Sequence, residues 1–246
     1  RRHTAGGVAQ DVALLRECGI EEINIDLIAG LPGQTEESWR ESLVWVERLA
    51  PPHVSVYMLE IDEDSRLGNE LLAGGSRYGA RLVPHEDDVV TLYEEALERL
   101  GAMGLRRYEI SNFALPGHES RHNLKYWRLE PYLGFGADAH SLTGTVRGQN
   151  TETATDYVAR WKRGESARTE ETTAVPHEER FFVGLRLMEG IAPTAEERSR
   201  YAEEIARLVK AGLLEEIGER VRLTQRGVLV SNEVFQEFVG TPCPTN

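Results

Sequence analysis

The apolar and polar positions of residues 4–113 change repeatedly between helical and strand spacing. Strand-like runs occupy residues 23–28, 54–61 and 107–113, and a long connection covers residues 62–84. Three helices are predicted from apolar stripes at Val8, Val12 and Leu15, at Trp39, Leu43 and Val46, and at Leu92, Ala96, Leu97, Leu100 and Met103. Helices that alternate with strands in this way predict a parallel sheet covered by helices, as an open sheet or as part of a barrel.

The first predicted strand carries a polar face. Asn24 and Asp26 point to the side opposite Ile25, and in a barrel they would face inward. Asp26 lies near the carboxyl end of this strand, where α/β folds place ligand-binding groups, and a carboxylate there can bridge two ribose hydroxyls. A carboxylate that caps the next turn or pairs with a buried base explains the pattern equally well. Both interpretations stay open on the residues alone.

The second half of the chain follows other patterns. Residues 115–150 are rich in Gly, His and aromatic residues and are too long for an ordinary connection, which is typical of a functional loop. Beyond a polar stretch, helical patterns and a hairpin at residues 213–223 give a winged-helix outline. The domains predicted are a barrel part with its loop at 1–150, a linker at 151–175, a winged-helix-like domain at 176–240 and a tail at 241–246.

Composition and charge exclude several classes of protein. No apolar run approaches the roughly 20 residues that a membrane-spanning helix requires, so a cytoplasmic protein is expected. The net charge of -13 would repel a phosphate backbone, which excludes nucleic acid as a partner. The only cysteines are Cys18 and Cys243, which are too few for a disulfide framework or a thiolate cluster.

Five blocks of sequence carry a resemblance to a known family. They comprise residues 24–35, 108–114, 118–127, 134–141, and 223–227 together with 231–235. In these blocks the chain resembles the radical S-adenosylmethionine family of oxygen-independent coproporphyrinogen oxidases and heme chaperones. The fold that this implies is α/β, namely the C-terminal part of a partial (β/α) radical S-adenosylmethionine barrel followed by a small winged-helix-like α+β domain.

The motif of residues 122–127 is similar to the proposed heme contact of the chaperone branch. The resemblance implies that His122, Asn123, Tyr126 and Trp127 bind heme, with His122 as the ligand to the iron. A neutral imidazole is a good axial ligand, and aromatic side chains can cover a porphyrin face. The alternative is that these side chains only anchor a long loop.

The resemblance also implies a cofactor site. Asp26 would contact the ribose of S-adenosylmethionine, and Arg1 would pair with its methionine carboxylate, a bidentate task that suits a guanidinium. The family holds a 4Fe-4S cluster through a Cys-x3-Cys-x2-Cys triplet and begins its cofactor site with a Gly-Gly-Thr-Pro turn; neither occurs in this sequence. A cluster is therefore expected only in a longer parent protein, and this chain alone is expected to be inactive.

Three functions follow as expectations. The first is a heme chaperone that binds heme and transfers it to acceptor hemoproteins. The second is an oxygen-independent coproporphyrinogen III oxidase, and the third is an interaction module that docks a partner through residues 176–246. Peripheral membrane association and a homodimer are left open.

Overall fold

The structure is a computed structural model that describes residues 4–240. The predicted role of Arg1 and the predicted tail at 241–246 lie outside the described residues. The chain forms two compact units, one that ends at Glu119 and one that begins at Ser120. Each unit is described by itself.

Helices and strands of both units follow one another along the chain. The helices are α1 (Ala5–Glu17), α2 (Glu36–Leu49), α3 (Arg66–Leu72), α4 (Glu86–Ala102), α5 (Arg121–Trp127), α6 (Ala154–Arg163), α7 (Pro176–Phe182), α8 (Ala195–Arg200), α9 (Ala202–Lys210), α10 (Gln225–Leu229) and α11 (Ser231–Gln236). The strands are β1 (Asn24–Ala29), β2 (His53–Met58), β3 (Arg106–Arg107), β4 (Asn112–Ala114), β5 (His140–Thr143), β6 (Val146–Asn150), β7 (Arg168–Thr173), β8 (Leu214–Ile217) and β9 (Arg220–Leu223). Within residues 4–240, no helix is both long enough and apolar enough to cross a membrane.

The first unit is built on a four-stranded sheet in the order β1-β2-β4-β3. Strands β1 and β2 are parallel and pair Asn24 with His53 and Asp26 with Ser55. Three predicted helices (α1, α2 and α4) and the first predicted strand are confirmed, whereas β2 ends at Met58, three residues before the predicted end. The predicted connection at 62–84 contains α3 and a 3-10 segment at Arg77–Leu82.

The third predicted strand, at residues 107–113, is wrong as a single parallel strand. It is divided into β3 and β4, which pair with each other antiparallel, and β4 also pairs antiparallel with β2. The backbone N–H of Tyr108 donates to the carbonyl of Asn112, and the N–H of Ser111 donates to the carboxylate of Glu109, which closes the turn between the two strands. The sheet is therefore mixed.

The apolar face of this sheet packs against helices α2 and α4. Val54 and Val56 of β2 are fully buried on that face, as is Trp39 of α2. The indole N–H of Trp39 donates to the carbonyl oxygen of Leu92 in α4 at 2.7 Å, so one hydrogen bond joins the two covering helices. The opposite face of the sheet carries Asn24, Asp26 and Ile28 of β1.

The second unit contains a three-stranded antiparallel sheet, β5-β6-β7, and the hairpin β8-β9. The predicted hairpin is present, with Gly218 in its turn at φ 60°. The predicted linker at 151–175 contains α6 and β7, and β7 pairs with β6 along its length. This pairing places the first division of the chain at residues 119–120, earlier than the predicted boundary at 150.

The hydrogen bond from Trp39 gives a prediction for stability. Replacing Trp39 with Phe should lower the free energy of unfolding by about 1–3 kcal/mol, because it removes a buried hydrogen bond and leaves space in the core. The measurement is urea unfolding followed by far-UV circular dichroism. Trp45→Phe on the same helix is the matched control, because Trp45 is only half-buried. Equal losses in the two variants would contradict this account of the core.

Candidate functional sites

The strand that carries Asp26 is fixed at its carboxyl end by the side chain of Gln34. The Gln34 Oε1 accepts hydrogen bonds from the backbone N–H groups of Gly30, at 2.7 Å, and Leu31, at 3.3 Å, while its Nε2 donates to the carbonyl of Ile28 at 3.1 Å. Gly30 has φ 95°, and a Cβ there would come within 2.8 Å of Val89. The turn after β1 therefore has one conformation, and helix α2 begins directly beyond it.

The face of the sheet opposite the helices carries a connected set of polar side chains. Asn24 Nδ2 donates to Asp26 Oδ1 at 2.6 Å and to Ser55 Oγ at 3.1 Å. The ring of His53 lies between Asn24 Oδ1, at 2.7 Å from Nδ1, and the hydroxyl of Tyr108, at 2.9 Å from Nε2. His53 and Ser55 are buried, whereas Asp26 is exposed. The carboxylate of Asp26 is therefore exposed to solvent and is hydrogen-bonded on its inner side to a network of polar side chains.

Burial lowers the pKa of His53 below its ordinary value of 6.5. The nearby carboxylates of Asp26, Glu119 and Glu22 act in the opposite direction, but the loss of hydration is the larger effect. The imidazole of His53 is therefore neutral at neutral pH. A neutral imidazole has one donor and one acceptor nitrogen, which matches the two partners that flank this ring.

The second candidate site is a row of aromatic rings at the start of the second unit. His122 and Tyr126 lie one turn apart on α5, with ring centroids 4.9 Å apart in an edge-to-face arrangement. Tyr126 in turn contacts Tyr132, with centroids 4.5 Å apart. The imidazole of His122 is exposed and has no hydrogen-bond partner among residues 4–240. We call His122, Tyr126 and Tyr132 the aromatic row.

The inner end of the aromatic row is held by an ion pair. Arg147 on β6 donates to the hydroxyl of Tyr132 at 3.2 Å and forms a bidentate contact with Glu179 on α7. Glu179 is buried, and its hydrogen bond raises the pKa of Arg147, which therefore stays charged. A bidentate pair of this kind fixes the plane of the guanidinium and, with it, the position of Tyr132.

Trp127, the last residue of α5, takes part in a different contact. The guanidinium of Arg186 lies 5.1 Å from the centre of the Trp127 ring and 4.9 Å from the centre of the Phe235 ring. Phe235 is buried in α11, so this contact ties α5 to the C-terminal helices. For Trp127 the structure supports the alternative of a loop anchor. Asn123 is half-buried, and its backbone N–H is capped by Ser120 Oγ at 3.3 Å.

Large apolar side chains are exposed directly after Tyr132. Leu133 is 63% exposed and Phe135 is 80% exposed. Their loop is nevertheless ordered by Asn150, whose Nδ2 donates to the carbonyls of Gly134 and Gly136. A fixed loop that exposes apolar side chains beside the aromatic row is a surface on which a flat hydrophobic molecule can lie.

The two other histidines near this segment differ from His122. His118, in the first unit, is 2.9 Å from a carboxylate oxygen of Glu22 through its Nδ1, so one of its nitrogens is occupied. His140 is exposed at the start of β5. His122 and His140 are both exposed, and His122 differs from His140 in that its ring contacts another aromatic ring, that of Tyr126.

Sequence reasoning did not identify His53, Tyr132, Arg147 or Glu179. His53 is a polar residue at the start of an apolar strand, and its position next to the strand of Asn24 was the available signal. Arg147 and Glu179 are 32 residues apart, and nothing in the local sequence pairs them. No group of three or more potential metal ligands occurs among the described residues, where Cys18 is the free thiol.

Comparisons with known proteins identify relatives of this chain and a solved structure of the same fold. The family model for the HemN C-terminal domain matches residues 175–230. The heme chaperone HemW of Bacillus subtilis is 34% identical over 98% of this chain and 65% of its own length, and that of Lactococcus lactis is 32% identical over 97% and 64%. Over nearly its whole length the chain is thus similar to HemW proteins, and its C-terminal part matches the HemN C-terminal domain. It spans just under two thirds of the length of these relatives.

A solved structure confirms the fold class of this HemW- and HemN-related chain. The Escherichia coli coproporphyrinogen III oxidase HemN, described as a radical SAM enzyme, superposes with a TM-score of 0.77 over 98% of this chain and 60% of its own. The sequence identity is 20%, so this likeness concerns the fold alone. The predicted α/β fold class is thereby confirmed.

The lowered pKa of His53 predicts how stability depends on pH. Because the folded-state pKa is below the unfolded value, the unfolded chain binds more protons, and the stability contributed by neutral His53 is lost as pH falls below about 6.5. A His53→Gln variant lacks this titration. Its free energy of unfolding, measured in urea at a series of pH values, should therefore fall less steeply on acidification than that of the unmodified chain. Parallel curves would contradict the burial of a neutral imidazole.

Proposed function

We propose that this chain is the heme-binding part of a heme chaperone, which receives heme through His122 and transfers it to acceptor hemoproteins. The observation that carries the proposal is the exposed, unoccupied imidazole of His122 at the outer end of the aromatic row. The two curated relatives described above, which match 97% and 98% of this chain, are named heme chaperones. The function of these relatives supports, by similarity, the same function here.

Heme would be held as cargo, and its chemistry suits the residues present. A neutral imidazole offers a nitrogen lone pair to an iron, and the side chain of His122 is exposed. Tyr126 packs against the edge of that ring and limits its rotation. The exposed side chains of Leu133 and Phe135 supply apolar area of the kind that a porphyrin face covers. His122 is the one residue proposed to bind the iron, and an acceptor protein would supply its own ligand when heme is transferred.

We further propose that Asp26 binds the ribose of S-adenosylmethionine. Its carboxylate is exposed at the open face of the sheet, and Asn24 occupies only one of its two oxygens. The other oxygen can accept a hydrogen bond from a ribose hydroxyl. Its proposed partner in this pocket, Arg1, lies outside the described residues.

A 4Fe-4S cluster has no ligand set within residues 4–240. Three converging thiolates are needed, and Cys18 is a single exposed thiol on the C-terminal side of α1. The proposal therefore includes no step that passes through a cluster. The S-adenosylmethionine pocket is proposed as a binding site.

The oxidase function is the second candidate, because the fold matches that of HemN. Steady formation of protoporphyrinogen from coproporphyrinogen III under anaerobic conditions, by a reconstituted parent protein, would favour it over the chaperone. Both curated relatives described above are named heme chaperones, which makes the chaperone the better supported proposal. A cytoplasmic location is part of this proposal, while membrane association and homodimer formation have no support from the described contacts.

The proposal predicts the result of a heme titration. Adding heme to the chain should produce a Soret band shift, and the His122→Ala variant should bind at least about tenfold more weakly with a different Soret maximum, because the iron loses its protein ligand. His140→Ala is the matched control, since His140 is also exposed in the second unit. It should bind heme like the unmodified chain. Equal spectra and affinities for the His122→Ala variant and the unmodified chain would remove His122 from the account.

A further inference from the structure

We infer that a directed chain of hydrogen bonds from Tyr108 through His53 and Asn24 orients the carboxylate of Asp26. His53 and Tyr108 are then positioning residues for the nucleoside pocket, an inference that rests on the proposed role of Asp26. The four side chains come from β1, from β2 and from the turn between β3 and β4. They therefore connect three separate segments of the first unit to one exposed carboxylate.

The direction of these hydrogen bonds, from donor to acceptor, is determined by the carboxylate of Asp26. A carboxylate only accepts hydrogen bonds, so the atom 2.6 Å from Asp26 Oδ1 must be the amide nitrogen of Asn24. The amide oxygen of Asn24 then faces His53 Nδ1 at 2.7 Å. Since that oxygen also only accepts, the proton of the imidazole must be on Nδ1. Asp26 thus determines the tautomer of a histidine on the neighbouring strand.

The hydrogen bond between Tyr108 and His53 agrees with this tautomer. With its proton on Nδ1, neutral His53 has an acceptor at Nε2, and the hydroxyl of Tyr108 lies 2.9 Å away. The rings of His53 and Tyr108 also meet edge to face, with centroids 5.7 Å apart. The buried position of His53 favours the neutral form that this arrangement requires. The hydroxyl of Tyr108 can therefore donate to Nε2 of His53, and Nδ1 of His53 to Asn24.

The hydrogen bonds of Asn24 therefore fix the orientation of the Asp26 carboxylate. Asn24 Nδ2 has two hydrogens, one for Asp26 Oδ1 and one for Ser55 Oγ at 3.1 Å, so the amide cannot rotate without losing both bonds. Among the described residues, Asn24 is the hydrogen-bond partner of Asp26. The second oxygen of Asp26 is left to face solvent. Recognition of a ribose depends on this plane, because the hydroxyls of a furanose ring are fixed relative to each other.

The first experiment measures the tautomer directly and needs no ligand. Nitrogen NMR of the chain labelled at histidine side chains should show His53 with its proton on Nδ1 and with Nε2 unprotonated. In Tyr108→Phe the Nε2 resonance should change, since its hydrogen bond is lost, while Tyr78→Phe, at an exposed tyrosine of the same unit, should leave it unchanged. A proton on Nε2 of His53 in the unmodified chain would overturn the inference.

The second experiment measures whether these hydrogen bonds affect binding of the ribose. Calorimetry with S-adenosylhomocysteine and its 2′-deoxy analogue gives the preference of each variant for the 2′-hydroxyl. The unmodified chain should prefer the ribose form, and Tyr108→Phe should reduce that preference by roughly three- to tenfold, as expected for one weakened hydrogen bond. A purely structural role of Tyr108 would weaken both ligands equally. Tyr78→Phe is again the control.

The outcomes separate this inference from the proposed function. If the unmodified chain binds neither ligand, or if Asp26→Asn binds as tightly as the unmodified chain, the nucleoside pocket is wrong, and the positioning role is lost with it. If Asp26→Asn binds more weakly but Tyr108→Phe behaves like Tyr78→Phe, the pocket stands and the positioning role is wrong. A reduced preference in Tyr108→Phe together with the Nδ1 tautomer supports both.

Discussion

The alternation of side chains along β1 is the constraint on which the first unit depends. Because successive residues of a strand point to opposite faces, Ile25 and Leu27 face the helices while Asn24 and Asp26 face the other side. A shift of one residue would place a carboxylate under α2 and α4, where it would lose its hydration. The same alternation in β2 buries Val54 and Val56 and aligns His53 and Ser55 with the polar face.

In the second unit, side-chain contacts hold a short helix at the surface. Helix α5 has seven residues, and none of them is fully buried. Its C-terminal end is tied down by Trp127 through Arg186, and its exposed side by Tyr126 through Tyr132 and the Arg147–Glu179 pair. The ring of His122 contacts Tyr126 and has no hydrogen-bond partner among the described residues. An imidazole held in place but unoccupied is suited to bind and release a ligand.

The parts of the fold that were predicted from the sequence are those determined by residues close together along the chain. The stripes of α2 and α4, the alternation of β1 and the turn at Gly218 depend on neighbouring residues, and these were confirmed. The pairing of β7 with β6, which occupies the predicted linker, depends on contacts between distant segments. The division of β3 from β4 depends on a turn closed by the side chain of Glu109 and carries no Gly or Pro signal.

The candidate sites divide in the same way. Asp26 and His122 could be singled out because each lies in a motif that the family resemblance covers. The residues that contact these sites could not be predicted from the sequence. His53, Tyr108, Arg147 and Glu179 all come from other segments of the chain. Long-range partners of this kind are visible only when the fold has brought the segments together.

The measurement that tests the central claim most directly is the accessibility of thiols placed on the two faces of the sheet. In a chain with Cys18 and Cys243 replaced by Ser, a cysteine at position 26 and a cysteine at position 56 would be labelled separately under native conditions. The account predicts rapid labelling for Asp26→Cys and protection until unfolding for Val56→Cys, because Asp26 is exposed and Val56 is 1% exposed. Protection at position 26 with rapid labelling at position 56 would contradict it.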